Sequence, residues 1–209
     1  MGVQIENHLK ENLSWMGIDP GKNGESKMLD YACGDGFLSH VLRPYFTKTV
    51  GVDLAEGMVD KYNRRAREAG IPESRMHAVL GDLTTPKISP SLTENKDLFD
   101  FDLIITSLVL HHIEDPQHAI NRFVERLRPA GTLVVIDFDV AKEGEAWLMA
   151  DAPTAHTIAH HGFDKATMEN MFETAGCKDV EYVLHKEESK MPPHLGGKKQ
   201  LFFARGRRT

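Results

Sequence analysis

Three carboxylates stand where apolar runs end: Asp30 in "KMLDY", Asp53 in "TVGVDL" and Asp82 in "MHAVLGDL". After the first comes the small-residue loop "ACGDG", where Gly34 and Gly36 let the backbone turn sharply and let a ligand approach without Cβ clashes. The helix expected from Phe37 points its amide dipoles at that loop. Asp53 can accept both hydroxyls of a ribose, Asp82 an exocyclic amine, and Asp30 suits a ligand that carries a cation. An adenosine with a cationic amino-acid tail satisfies all three. Singly, each is better read as an acidic strand end or a helix cap; the set at successive strand ends is what points to a ligand. A dinucleotide is the poorer match, because the third glycine of its fingerprint falls at Ser39 and Asp30 would repel the pyrophosphate.

Histidines supply the second group of candidates, since their ordinary pKa lies near neutrality. His111 and His112 follow the fourth strand, and His156, His160 and His161 precede the helix that starts after Asp164. Packing inside the protein is the competing reading for each. His111 and His161 are taken to border an acceptor pocket, with at least one assisting deprotonation or orienting the acceptor. His156 and His160 stand one helical turn apart, a spacing that can chelate metal, but the glutamate of the HExxH pattern is missing and no metal site is assigned. Trp15, Met16, Trp147, Leu148 and Met149 are residues that could cover an acceptor, Trp147 foremost; at such spacing Trp and Met are more often core.

The elements that must hold these groups alternate. From Lys27 onward strand-like runs and helical patterns succeed one another, which implies a parallel sheet whose ligands bind beyond the carboxyl ends of the strands. Asp115 with Pro116 starts one helix and Asp164 caps another that stops near Gly176, while Pro129 and Gly131 are expected to end the first. "VEYVLH" and "KQLFFAR" can pair antiparallel at a sheet edge. At the amino end, Ile5, Leu9, Leu13 and Met16 have helical spacing; whether that helix closes over the site or merely packs is open. "TTPKISPSLTENKD" reads as a surface loop.

The chain has 209 residues, 41% hydrophobic and 27% charged, enough for one domain with a core of its own. Its formal net charge of −6 argues against general affinity for nucleic acid. Two cysteines make no disulfide framework, no signal pattern opens the chain, and an intracellular, cytoplasmic setting is expected. The longest apolar run, "FDLIITSLVL", is about ten residues against roughly 20 for a membrane helix.

Taken together, "LDYACGDG", "VGVDLAEGM", "GDL", "FDLIITSLVLHHIEDP" and "LRPAGTLVVIDF" resemble the motifs of the class I S-adenosylmethionine-dependent methyltransferases over most of Lys27 to Phe138. "LVLHHIEDP" and the later "HHGF" look like the small-molecule enzymes related to the ubiquinone and menaquinone biosynthesis group. The resemblance implies a Rossmann-like α/β fold: a seven-stranded, mostly parallel sheet with helices on both faces and an antiparallel last strand pair. It implies that Asp30 anchors the methionine ammonium indirectly or through backbone, and that Ala32, Gly34 and Gly36 line the methionine. Asp53 would hold the ribose, Leu54 and Met58 would border the adenine, Asp82 with Leu83 would address its ring, and Ser107 would lie beside the transferring methyl. Ala32 replaces the commonest glycine, so an ordinary negative φ is expected there.

The whole chain, 1–209, reads as one methyltransferase domain: an amino-terminal helix and connection (1–25), a cofactor-binding core (26–140), a substrate-cover insertion (141–163) and a carboxyl-terminal helix and strand pair (164–209). The expected activity is methyl transfer from S-adenosyl-L-methionine to a small organic molecule through oxygen, sulfur, nitrogen or carbon. Nucleic-acid and glutamine amines are demoted, because "TSLVLHH" lacks the Asn or Asp followed by Pro-Pro and an aromatic residue. The alternatives are a non-catalytic cofactor-binding regulatory module and a nucleotide-dependent oxidoreductase.

Overall fold

The computed structural model describes residues 1–21, 24–85, 87–140, 158–190 and 198–209. Its strands are β1 (Lys27–Tyr31), β2 (Lys48–Asp53), β3 (Met76–Leu80), β4 (Phe101–Ser107), β5 (Leu127–Phe138), β6 (Cys177–Leu184), the two-residue β7 (Ser189–Lys190) and β8 (Lys198–Lys199), and β9 (Leu201–Arg208). Seven of them form one sheet in the order β3-β2-β1-β4-β5-β9-β6, and β7 pairs with β8 separately. The strands from β3 through β5 pair in parallel, while β9 runs antiparallel to both β5 and β6. The chain builds outward from β1 to β3 and then returns to place β4 on the other side of β1. That reversal opens a crevice between the loops after β1 and β4, the place where open α/β sheets bind ligands.

Alternation along the central strands decides which helix lies on which face. Leu29, Ile104, Leu133, Val135, Phe202 and Ala204 point to the side covered by α5 (Pro116–Arg126) and α6 (Lys165–Thr174), through Ile120, Phe123, Met168 and Phe172. Met28, Leu103, Ile105, Val134, Ile136 and Phe203 point the other way, onto Ile5 and Leu9 of α1 (Gly2–Glu11) and Leu38 and Leu42 of α2 (Phe37–Leu42). On that side α3 (Glu56–Glu68) packs Val59, Tyr62 and Ala66 against Met76 and Ala78 of β3. The short α4 (Pro90–Thr93) buries Leu92 in the loop after β3.

The amino-terminal helix is therefore part of the core. Its four-residue spacing extends one turn too far in sequence: α1 stops at Glu11, and Met16 reaches the interior from the turns that follow. At the other predicted boundary, α5 ends at Arg126 rather than at Pro129 and Gly131, because Leu127 already pairs with Phe101 of β4. Asp115 and Asp164 do cap their helices, accepting from the amides of His118 (2.9 Å) and Thr167 (2.7 Å).

Candidate functional site

After Tyr31 the chain must cross to the end of β2 before entering α2. Ala32 (φ 54°), Gly34 (φ 53°) and Gly36 (φ 88°) all adopt left-handed backbone, so the negative φ expected of Ala32 is wrong. Closure of the loop on its neighbour supplies the reason. The Cys33 amide donates to the Val52 carbonyl at 3.2 Å and the Gly34 amide to Asp53 Oδ2 at 2.8 Å; both bonds require the chain to reverse at Ala32. Alanine adopts that turn at a cost of about 1 kcal/mol. At Gly36 a Cβ would meet the Tyr62 ring at 2.8 Å, whereas at Gly34 it would meet nothing within 4 Å. The loop is packed tightly from behind and open in front.

Asp53 ends β2 with both oxygens engaged, Oδ2 by Gly34 and Oδ1 by the Ala55 amide at 2.9 Å. Each oxygen keeps lone-pair capacity for a further donor. Asp82 is held on one side only: Oδ1 accepts from the Tyr31 hydroxyl (2.9 Å), the Thr84 amide (2.7 Å) and the Thr84 hydroxyl (2.7 Å). Among the described residues no donor reaches Oδ2. Burial first, and then the Asp82 charge, push the Tyr31 phenol up, so it stays a proton donor.

Asp30 does not open toward the loop. It is 1% exposed, and its Oδ2 accepts from the Ser39 amide (3.1 Å) and hydroxyl (2.7 Å). Ser39 is the third residue of α2, so this carboxyl satisfies one of the helix's orphan amides. Burial raises its pKa to about 7 against the opposing pull of the Ser39 bonds. Direct pairing of Asp30 with a ligand cation is thus ruled out by this geometry; its influence on the loop runs through α2.

A cleft of about 610 Å³ opens beyond these strand ends, walled by Tyr31, Ala32, Asp53, Leu54, Asp82 and Thr84 on one side and by His112, Glu114, Asp115 and His118 on the other. Among the described residues, four carboxylates and no lysine or arginine line it, a setting hostile to a pyrophosphate and suited to an adenosine bearing a positive charge. Leu54 is 74% exposed at the lip, and Met58 is exposed one helical turn further along α3. The side chain of Leu83 is fully buried in the core, so the expectation that it addresses a ring survives only for its backbone. Ser107 is half-buried at the end of β4, beside left-handed Leu108 (φ 58°), whose amide donates to Ile136.

The histidine pair divides. His111 is buried: its Nδ1 lies 2.6 Å from Asp137 Oδ1 and its amide donates to Asp137 Oδ2 at 3.1 Å. His112, not chosen from sequence, is the member that lines the cleft. The returning chain is fastened here as well, with the amides of Ala159 and His160 donating to the His111 carbonyl at 2.9 and 3.0 Å and Phe163 to the Phe138 carbonyl at 3.0 Å. His161 is exposed just past that junction. Asp137, the missing partner of His111, is announced in sequence only by being an acidic residue within "VVIDF".

Trp15 is corrected: its indole donates to Glu181 at 2.8 Å and its ring carries the Arg205 guanidinium, while Met16 is core, so neither covers the cleft. His156, Trp147, Leu148 and Met149 lie outside the described residues. Among the described residues, no group of three or more His, Cys, Asp or Glu side chains is arranged to hold a metal ion.

A family model described as a methyltransferase domain matches residues 5–182. The chain belongs to that family. It is 36% identical over 169 residues to an uncharacterized methyltransferase of Schizosaccharomyces pombe, covering 78% of this chain and 56% of the relative. It is 28% identical over 106 residues to the ubiquinone biosynthesis O-methyltransferase of Coxiella burnetii, covering 51% and 41% of the two chains. The chain thus spans about half the length of these relatives. Its fold matches that of Haemonchus contortus phosphoethanolamine N-methyltransferase 2, solved in complex with S-adenosyl-L-methionine, with a TM-score of 0.71 at 14% identity over 97% of this chain and 52% of the other.

Proposed function

We propose that this methyltransferase transfers a methyl group from S-adenosyl-L-methionine to a small organic acceptor, with His111, held by Asp137, taking or orienting the acceptor's proton. The cofactor, when bound, supplies an electrophilic methyl carbon on a positively charged sulfur. The residues at hand fit it: the glycine loop has open space over Gly34, Asp53 and Asp82 offer acceptors at the strand ends, and no lysine or arginine among the described residues lines the cleft to oppose the sulfonium. Leu54 and Met58 offer apolar surface beside Asp53, and Ser107 stands at the next strand end.

The observation that carries the chemical role is the His111–Asp137 contact of 2.6 Å, made where β4 and β5 end. Asp137 is fully buried and also accepts from the amides of His111 and Phe138. It therefore orients the ring, with Nδ1 facing the carboxylate and Nε2 as the nitrogen left for an acceptor. Residues 141–157 of the expected substrate-cover insertion lie outside the described residues; on either side of them the chain is tied to one corner, where Tyr182 donates to Asp139 Oδ1 (2.6 Å) and lies 3.0 Å from the Phe163 carbonyl. His161 enters as a second orienting group. A small acceptor agrees with the net charge of −6 and with the names of the Coxiella and Haemonchus proteins. An intracellular, cytoplasmic site of action belongs to the same reading, supported by two cysteines that are buried free thiols. No helix among the described residues is long and apolar enough to cross a membrane.

Turnover of the His111→Gln, His111→Ala, His161→Gln and His161→Ala variants at saturating cofactor tests the assignment. A general base or orienting group contributes about 10² to 10⁴ in rate, so a loss of that order is expected for His111 variants. Undiminished turnover in every variant would remove the histidines from the chemistry.

A further inference from the structure

We propose that Tyr31 is a positioning residue that sets nucleobase discrimination, by holding Asp82 so that one carboxylate oxygen is occupied and the other is presented to an exocyclic amine. The inference rests on the placement of adenosine against Asp82. Neither composition nor motif singles out Tyr31; the structure does. The residue sits at the end of β1, is 7% exposed, and packs its ring 4.7 Å from that of Phe123. Its hydroxyl then reaches across β2 to the loop after β3, where it donates to Asp82 Oδ1 at 2.9 Å. Thr84 adds two more donors to the same oxygen. With Oδ1 taking three bonds, its lone pairs are spent, and Oδ2 is the acceptor left for a ligand in a cleft that Tyr31, Asp82 and Thr84 all line.

The chemistry of the two purines makes this arrangement selective. An adenine offers an exocyclic N–H to Asp82 Oδ2, a charge-assisted bond. A hypoxanthine offers an oxygen at the same place and leaves two acceptors facing each other. The Thr84 bonds are local and turn with the loop, whereas the Tyr31 hydroxyl is anchored in the sheet and fixes the carboxylate against the rest of the fold. Tyr31→Phe keeps the ring and its packing and deletes the hydroxyl, its bond to Asp82 together with its contacts to Thr84 and the Leu83 backbone.

The test is titration calorimetry of the full chain with S-adenosylhomocysteine and with its inosine counterpart, S-inosylhomocysteine, alongside thermal melts. The expected result for Tyr31→Phe is a loss of about five- to tenfold in affinity for the adenosine ligand, with the inosine ligand held within about twofold and the ratio between them falling accordingly. Asp82→Asn should collapse the ratio by itself, and adding Tyr31→Phe to it should change nothing more. Equal losses on both ligands in Tyr31→Phe would show a merely structural role and overturn the proposal while leaving the adenosine placement intact. An unchanged ratio in Asp82→Asn would instead overturn the placement, and the proposal with it.

Discussion

Replacing Asp30 by asparagine tests the most unusual electrostatic feature of the fold. The carboxyl is 1% exposed, and burial raises its pKa from 3.8 to about 7, the nearby Asp53 charge adding to the effect and the Ser39 bonds opposing it. The folded protein therefore binds this proton more tightly than the unfolded chain. Between those values the native state carries more protons, so stability falls as pH rises; the contribution is whole below 3.8 and gone above about 7. The full span corresponds to about 4 kcal/mol. An asparagine side chain in its place would offer the same oxygen to the Ser39 amide and hydroxyl and carry no charge, so Asp30→Asn removes the titration and keeps the cap. Urea melts of both proteins from pH 5 to pH 8 should show wild type losing about 3 kcal/mol relative to Asp30→Asn, with other titrations cancelling in the difference. A flat difference, or wild type gaining as pH rises, would mean that the ionised carboxylate is the form the fold prefers, and the reasoning from burial would be refuted.

Ala32→Gly removes the left-handed cost of about 1 kcal/mol and adds chain entropy of about 0.5 to 1 kcal/mol, so its stability should match wild type or exceed it by up to about 0.5 kcal/mol. A loss larger than that in denaturant melts would contradict the loop geometry. Leu9→Ala should cost about 2 to 5 kcal/mol, because the side chain is fully buried in the α1 face of the core. A helix acting only as a lid would instead leave the melt unchanged and alter KM.

The strands and their order of appearance are legible in the sequence because each central strand alternates residues between two covered faces or is apolar throughout, as in "LVVIDF" and "FDLIITS". The helix starts at Asp115 and Asp164 are legible because capping is a local bond three residues long. Ala32 is not. Its left-handed turn is set by bonds to β2, about 20 residues away in sequence, and nothing local opposes alanine strongly enough to reveal it. The division of labour between His111 and His112 is hidden for a related reason. The two sit on one 3-10 turn with their ring centroids 4.1 Å apart, and only Asp137, on another strand, decides which of them is buried. Asp53 and Asp82 reach the cleft as expected, whereas Asp30 turns to α2 because Ser39 offers two donors on the buried side. Tyr31 stays invisible, since its partner stands 51 residues on.

The proposed activity is methyl transfer to a small acceptor. It is tested most directly by screening small oxygen, sulfur, nitrogen and carbon acceptors with S-adenosylmethionine and following S-adenosylhomocysteine release. At least one acceptor should stimulate release in wild type, with the stimulation lost in His111→Gln while cofactor affinity stays unchanged. Tight cofactor binding with no release stimulated by any acceptor class would contradict it and leave a binding module in its place.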